Sequence, residues 1–413
     1  MARRSQETHM VHWIPGLLMV LIAMALWAHG YQVVRTLALS EGVDFAHWYA
    51  NAHLIRRRVD LSEAYLTGSF DEAERVTGGA FYPQPLQYPP SAFLAVAPLT
   101  TLPYKTAYRL WVILCAAAAW TGVWLCARSL APGSLSSRAV WSSAIGLTAL
   151  FHPVLQDLLA GQTLCVVLAC HAAGLVLASR GHWAAGIAMA LGGMLKPQFH
   201  VVWLLFLLWR RWSACAAWAV TAMALEAAGW WWAGPKALCN FSSLRVQYLI
   251  DGTLYDSAFS GSLTSIVWRL LDLPPSLRAG SLLVGAVGVA AAAYFVWAAR
   301  VTWRTRRSEA KPWLAAYGLW ASGALLAMPL LREHHLVVLL PPLLGIWWTL
   351  AARQDAARLV PGFLLAYGLV AAQYATSRFG ALHDGWLGLL TAGRLVGVAA
   401  TVWWCHWCLA ARR

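Results

Sequence analysis

The sequence predicts an all-α polytopic membrane protein with about 12 transmembrane helices (11–13), and three observations carry that prediction. First, 60% of its 413 residues are hydrophobic and only 12% are charged, whereas an average soluble domain is about 45–50% apolar and about 25% charged. Second, the apolar residues gather in runs near the ~20 residues that a helix needs to cross the hydrocarbon core. Third, the basic residues fall at alternate ends of those runs. Together these exclude a soluble enzyme, a disordered chain and a secreted disulfide scaffold.

The elements follow in order. Arg3 and Arg4 precede the first run, 14–34. No small-x-small cleavage site follows it, so a retained helix is expected rather than a removed signal peptide. The run 91–103 is short and ends in Leu102-Pro103, which suits a re-entrant or interfacial segment. Spans are expected near 104–127, 139–156 and 162–179. Lys196-Pro197 then divides one long run into 182–196 and 197–209, each too short to span comfortably. Further spans are expected near 211–233, 279–300, 313–330, 335–352, 359–376 and 386–411, with Pro341-Pro342 kinking the tenth. In the last, Cys405-His406-Trp407-Cys408 has redox or metal spacing but no second Cys/His pair. It reads as packing, as do Cys115, Cys165 and Cys215 inside apolar runs. Asn240-Phe241-Ser242 fits a glycosylation sequon, a weak signal. The whole chain, 1–413, is expected to form one integral-membrane domain.

The net charge of +14 resolves into a topology signal. With the N-terminus in the cytoplasm and sides alternating, the cytoplasmic ends hold 16 basic residues, among them Arg128, Arg180, Arg211, Arg306 and Arg353, against three acidic ones, a balance of +13. The remainder is nearly neutral. Both termini are then cytoplasmic, and nucleic acid drops out as a partner.

Polar sequence concentrates on the outer face, in a first outer loop, 40–103, and a second, 234–278. Phe45, Trp48, Tyr49, Ala52 and Ile55 recur at helical spacing ahead of Arg56, Arg57 and Arg58, which predicts an interfacial helix with its aromatics in lipid. A second is predicted over Leu61 to Val76, where Asp71, Glu72 and Glu74 read as a solvated face. Asp44 starts the first of these helices, either as a cap for free N–H groups or as a general base at the membrane surface. Tyr88-Pro89-Pro90 fixes an extended loop. Asp157, Gly161 and Gln162 mark an outer turn. Lys196 faces either a polar cavity or anion, or snorkels to the interface. Arg332-Glu333-His334-His335 offers a phosphate contact, a pH switch or, least well supported, a metal site. Glu226 and Arg394 lie inside helices and need partners.

The order and spacing of these elements resemble the GT-C glycosyltransferases, and more narrowly family 87, the polyprenol-phosphate-mannose-dependent α-mannosyltransferases. The resemblance rests on Asp44-Phe45, Tyr88-Pro89-Pro90, Gly161-Gln162, Lys196-Pro197 and, most specifically, His334-His335-x-Val337-x-x-Leu340-Pro341-Pro342. Two departures stand beside it. Leu330-Leu331-Arg332-Glu333 occupies the place of a Ser-Trp-acidic approach, and Ser260-Gly261-Ser262-Leu263-Thr264 replaces a Gly-Asn-Gln-Ser element. The resemblance implies a GT-C fold in a bacterial inner membrane, with the active site on the periplasmic face. It also implies a lipid-phosphate sugar donor, a glycan or glycolipid acceptor and inversion at the anomeric carbon; no cofactor is expected, the lipid-linked sugar being a substrate, and a divalent metal stays open. Asp44 takes the role of base. Lys196, Arg332, His334 and His335, followed by Arg245 and Arg269, take the leaving phosphate, while Tyr88 and Gln162 shape the pocket. A proton- or solute-coupled transporter using Asp44, Lys196 and His334/His335 is the alternative, and it requires a polar path to both faces.

Overall fold

The computed structural model describes residues 23–24, 26–28, 30–35, 42–59, 71–80, 88–237, 239–241, 243, 260, 262–271, 277–306, 312–372 and 392–410. Among these residues the chain is all-helical, with no strand. The order is α1 Val43–Arg56, α2 Asp71–Thr77, α3 Pro90–Phe93, α4 Tyr104–Ser129, α5 Ser137–Ala149, α6 His152–Ala160, α7 Leu164–Ser179 and α8 Ala185–Leu195. It continues with α9 Leu204–Leu208, α10 Trp212–Ala233, α11 Leu263–Leu270, α12 Leu277–Arg304, α13 Trp313–Ala327, α14 Leu340–Ala351, α15 Ala356–Ala371 and α16 Gly393–Ala410.

Three of these stretches are long and apolar enough to cross a membrane: Tyr104–Ser129, Gly280–Arg304 and Glu333–Ala351. The α4 helix, at ~1.5 Å per residue, exceeds the ~30 Å hydrocarbon core. Its inner face buries Tyr108, Trp111, Val112, Cys115, Ala119 and Val123, while Leu110, Ile113, Leu114, Trp120 and Trp124 stay exposed on the other. An exposed apolar stripe of that length is a lipid-facing surface. At Gly122 the backbone of α4 meets α7 so closely that a Cβ would lie 2.9 Å from Leu168 Cδ2.

The expected spans run longer than the helices, and prolines account for much of the difference. The run 139–156 divides into α5 and α6, bent by 53°, because Pro153 lacks the N–H that a continuous helix needs. Pro329 and the extended residue Met328 before it end α13 at Ala327. The stretch ahead of Pro341-Pro342 is a 3-10 turn, Glu333–Leu339, rather than α-helix. Between α8 and α9, Pro197 opens another 3-10 turn, Pro197–Trp203. The two arms run antiparallel: the Gly181 end of this hairpin lies beside Arg211, a Cβ on Gly181 falling 3.5 Å from its Nη1. Lys196 sits at the tip.

The first outer loop departs from expectation. Its first helix is not laid out in lipid, for Phe45, Trp48, Tyr49, Ala52, Leu54 and Ile55 are all buried. Phe45 packs against the rings of Tyr104, Tyr108 and Trp111, at centroid distances of 5.9, 5.7 and 5.8 Å. Helical spacing reveals an apolar face, but lipid and protein cover such a face equally well. Tyr49 Oη donates to Leu102 O at 2.7 Å, and Ser91 Oγ to Glu226 Oε1 at 2.7 Å. These bonds fold the run 91–103 back onto α1 and α10. Of the second predicted interfacial helix only α2 is described, and there Glu72 pairs with Arg75.

The two ends of the bundle differ in chemistry. At one end lie Gly42, Tyr104, Gln162 and Lys196. At the other, Arg180 Nη2 donates to Ser129 Oγ at 3.2 Å. There too Arg210, Arg211, Arg306 and Arg353 lie over the rings of Trp303, Trp313, Trp303 and Trp407. This arginine–tryptophan layer is what an interfacial anchor looks like.

Candidate active site

Lys196 forms the centre of the site. It is 1% exposed, and its Nζ donates to Tyr88 Oη at 2.6 Å and to Gln162 Oε1 at 2.9 Å. It also lies 4.6 Å from the centre of the Tyr88 ring. Both hydrogen-bond acceptors are neutral. An ammonium needs three acceptors and has two here among the described residues. The buried Asp157 carboxylate is near enough to feel the Lys196 charge, but its hydrogen bonds go to the start of α7, so the remaining ammonium donor suits an anion that arrives from outside.

The partners are held from several sides. Gly161 ends α6 at φ +69°, a conformation that glycine adopts without strain. A Cβ there would lie 2.6 Å from that of Phe45. The Gly161 and Gln162 carbonyls accept from Trp111 Nε1 at 3.1 and 3.2 Å. Asp157, fully buried, accepts from Leu164 N at 3.0 Å and Cys165 N at 2.8 Å. It thereby satisfies the start of α7 from seven residues upstream. Trp111 lies seven residues into α4, so this turn sits ~10 Å below the Tyr104 end of the bundle. Tyr88 is carried by the Pro89-Pro90 turn and packs on Trp48 at 4.5 Å.

Asp44 occupies the second position of α1. The helix is capped by the backbone of Gly42 in a left-handed conformation, and Tyr104 Oη donates to Gly42 O at 3.1 Å. The Asp44 carboxylate therefore does not cap α1, and among the described residues it accepts no hydrogen bond. Its charge is nonetheless well placed at a helix N-terminus. Phe45, its neighbour, touches Gly161, and Trp48, one turn on, covers Tyr88. Lys196, Tyr88 and Gln162 thus form one hydrogen-bonded cluster, and α1 borders it through Phe45 and Trp48, with Asp44 at the start of that helix. Nearby, burial pushes the His47 imidazole down to about 4, against the opposing pull of the Asp44 carboxylate.

The His334-His335 turn completes the electropositive side. Both rings are buried, 4.3 Å apart, and both feel the charges of Lys196 and Arg332. The Arg332 backbone N–H donates to His335 Nδ1 at 3.0 Å, which leaves Nε2 as the protonated nitrogen of a neutral ring. Glu333 turns away to pair with Arg394 and approaches His152 Nε2 at 3.7 Å. Behind the turn, Ser262 Oγ donates to Pro329 O at 2.7 Å, and Ser260 Oγ accepts from Leu331 N at 3.3 Å. The serine-rich element therefore fixes the approach to Arg332. Two buried donors face this region without a hydrogen-bond partner among the described residues, Trp48 Nε1 and Arg332 Nε.

Arg245 lies outside the described residues, and so does the side chain of Arg269, whose backbone belongs to α11. Sequence reasoning assigned Trp48 to lipid and gave no role to Trp111, and it left Arg394 and Glu226 without partners. Nothing in the spacing pairs Glu333 with Arg394 or Ser91 with Glu226 across so many residues. Among the described residues no cluster of three His, Cys, Asp or Glu side chains could hold a metal ion. Cys405 and Cys408 are buried in the core.

Compared with known families, residues 86–329, more than half of the chain, match the model of glycosyltransferase family 87. No curated protein and no solved structure matches it.

Proposed function

The chain belongs to glycosyltransferase family 87, and from that membership we propose that it moves a hexose, mannose by the family resemblance, from a polyprenyl-phosphate donor to an acceptor hydroxyl. Its family makes it a glycosyltransferase, and its apolar helices make it a multi-pass membrane protein. In this reading the site lies on the outer face of a bacterial inner membrane, with both termini cytoplasmic and the arginine–tryptophan layer at the inner interface. The loops 40–103 and 234–278 are the outer loops of a single membrane domain.

The observation that carries the reading is Lys196, a buried cation whose hydrogen bonds, among the described residues, go to the neutral oxygens of Tyr88 and Gln162. As the anomeric carbon–oxygen bond breaks, the departing polyprenyl phosphate gains negative charge. Fixed donors facing that charge stabilise it without reorganisation. Lys196 and Arg332 supply cations, and His334 and His335 supply ring N–H groups. The acceptor hydroxyl attacks the opposite face of the anomeric carbon, so the configuration inverts, and Asp44 accepts its proton. Tyr88 and Gln162 hold Lys196 and border the sugar. Arg245 and Arg269 belong to the same outer region by sequence. The reading requires no cofactor and no resident metal, and assigns no protein partner.

The test is Asp44→Asn, compared with Asp44→Glu, in transfer from a radiolabelled short-chain polyprenyl-phosphate mannose. Membranes of a deletion strain serve as acceptor. The expected result is at least a hundredfold loss in Asp44→Asn at unchanged protein level, the usual scale for a general base. Undiminished transfer removes Asp44 from that role. If the unaltered chain transfers from no such donor, the donor class is wrong.

A further inference from the structure

The basic end of the bundle, opposite Lys196, encloses a cavity of ≈ 500 Å³ bounded by the α4–α5 connection, the end of α7, the start of α13, α14 and the end of α16. We propose that it binds the headgroup of an anionic phospholipid from the adjoining leaflet, a site separate from the sugar-transfer centre and independent of how that centre works.

The lining supplies both halves of such a ligand's chemistry. Ser129, Ser179 and Thr349 bring hydroxyls, while Leu130, Leu314 and Trp348 bring apolar walls. Arginines stand around it. Arg180 Nη2 donates to the Ser129 hydroxyl at 3.2 Å, which brings its charge to the lining. Arg211 lies 5.9 Å over the ring of Trp313, a wall residue, and its buried Nε has no hydrogen-bond partner among the described residues. Arg353, one turn beyond Thr349, is already neutralised by Asp355 at 2.7 and 3.0 Å. Of the described arginines tied to the lining, Arg180 and Arg211 keep charge to offer.

Size and setting select a lipid over a small soluble anion. A pocket of this volume accommodates a drug-sized ligand, far more than one phosphate. Elsewhere on α4 the exposed rings of Trp120 and Trp124 belong to the lipid-facing surface of the bundle, which offers acyl chains an apolar face while the headgroup turns inward. Basic pockets between membrane helices recognise phosphodiester headgroups through this combination of arginine and hydroxyl donors.

The experiment uses the full chain, purified and held in phosphatidylcholine nanodiscs, with phosphatidylglycerol titrated in and retained lipid read by native mass spectrometry. One phosphatidylglycerol should be retained per chain, and thermal unfolding should shift upward. Phosphatidylcholine and inorganic phosphate should produce neither effect. At about 1 kcal/mol per basic residue, Arg180→Gln should weaken retention about fivefold and Arg180→Gln/Arg211→Gln about 25-fold. Ser129→Phe, which fills the cavity and removes the hydroxyl that holds Arg180 at the lining, should abolish it. Equal response to phosphatidylcholine, equal stabilisation by inorganic phosphate, or undiminished binding in Ser129→Phe would overturn the proposal. The first of these outcomes is readable on the unaltered chain, whether or not any variant folds.

Discussion

Replacing Lys196 with methionine separates a catalytic role from a structural one, because the two predict opposite patterns. The substitution keeps the length and apolar stem of the side chain and removes its charge. Two hydrogen bonds from a charged donor disappear, to Tyr88 Oη at 2.6 Å and Gln162 Oε1 at 2.9 Å. Bonds of that type contribute about 1.5–3 kcal/mol each, so the loss is about 3–6 kcal/mol. Against it stands the relief of no longer holding an ammonium at 1% exposure, which is several kcal/mol. The two nearly cancel, and the unfolding midpoint should move by no more than a few degrees. Transfer has no such compensation. Removing one partner of a buried, hydrogen-bonded charge pair costs about 2–5 kcal/mol, so kcat/KM for the lipid-phosphate donor should fall by about 30- to 4,000-fold.

The assay pairs thermal unfolding of the purified chain with initial rates of sugar transfer across a donor series. A midpoint lowered in proportion to the loss of transfer would refute the reasoning, since Lys196 would then be a structural post. Retained transfer would refute it more directly, for no counter-charge at this position would be needed.

Three further outcomes follow from the same geometry. Gly161→Ala places a Cβ on a residue at φ +69° and 2.6 Å from that of Phe45; the strain is about 1–3 kcal/mol, and the midpoint should drop with transfer falling in parallel. His47 has its imidazole pushed down to about 4 by burial, so the unfolded chain binds more protons than the folded one between about 4 and the ordinary value of 6.5. Stability is then complete above that window and declines as pH falls through it, by up to about 3 kcal/mol; His47→Gln should flatten this part of the pH–stability profile, and an unchanged slope would assign it elsewhere. Glu333→Gln leaves Arg394 without its carboxylate partner and should cost about 3–5 kcal/mol, visible as a lower midpoint that Glu333→Gln/Arg394→Met partly restores.

How legible the site was depends on which physical signal each residue carries. Lys196 and the paired histidines stood out because polar residues inside apolar sequence are costly and need a reason, and the fold brings Lys196 beside Tyr88 and Gln162. The helices themselves were legible from apolar runs, but their ends were not. A run records hydrophobicity without recording where Pro153, Pro197 or Pro329 interrupts the hydrogen-bond ladder, and so the expected spans outran the helices. The inward turn of α1 shows a deeper limit. Its aromatic face reads the same whether lipid or Tyr104, Tyr108 and Trp111 will cover it, since both remove the rings from water at similar gain. Long-range ion pairs leave even less trace: Glu333 and Arg394 are 61 residues apart, and each alone is only a charge that needs a partner. Local cost thus reveals that a residue matters, while only packing reveals what it faces. The Ser-rich element illustrates both halves, for its departure from the family pattern was visible in sequence, yet its hold on Pro329 and Leu331 follows only from the fold. That hold places it behind Arg332, so variation there should first alter the position of that arginine.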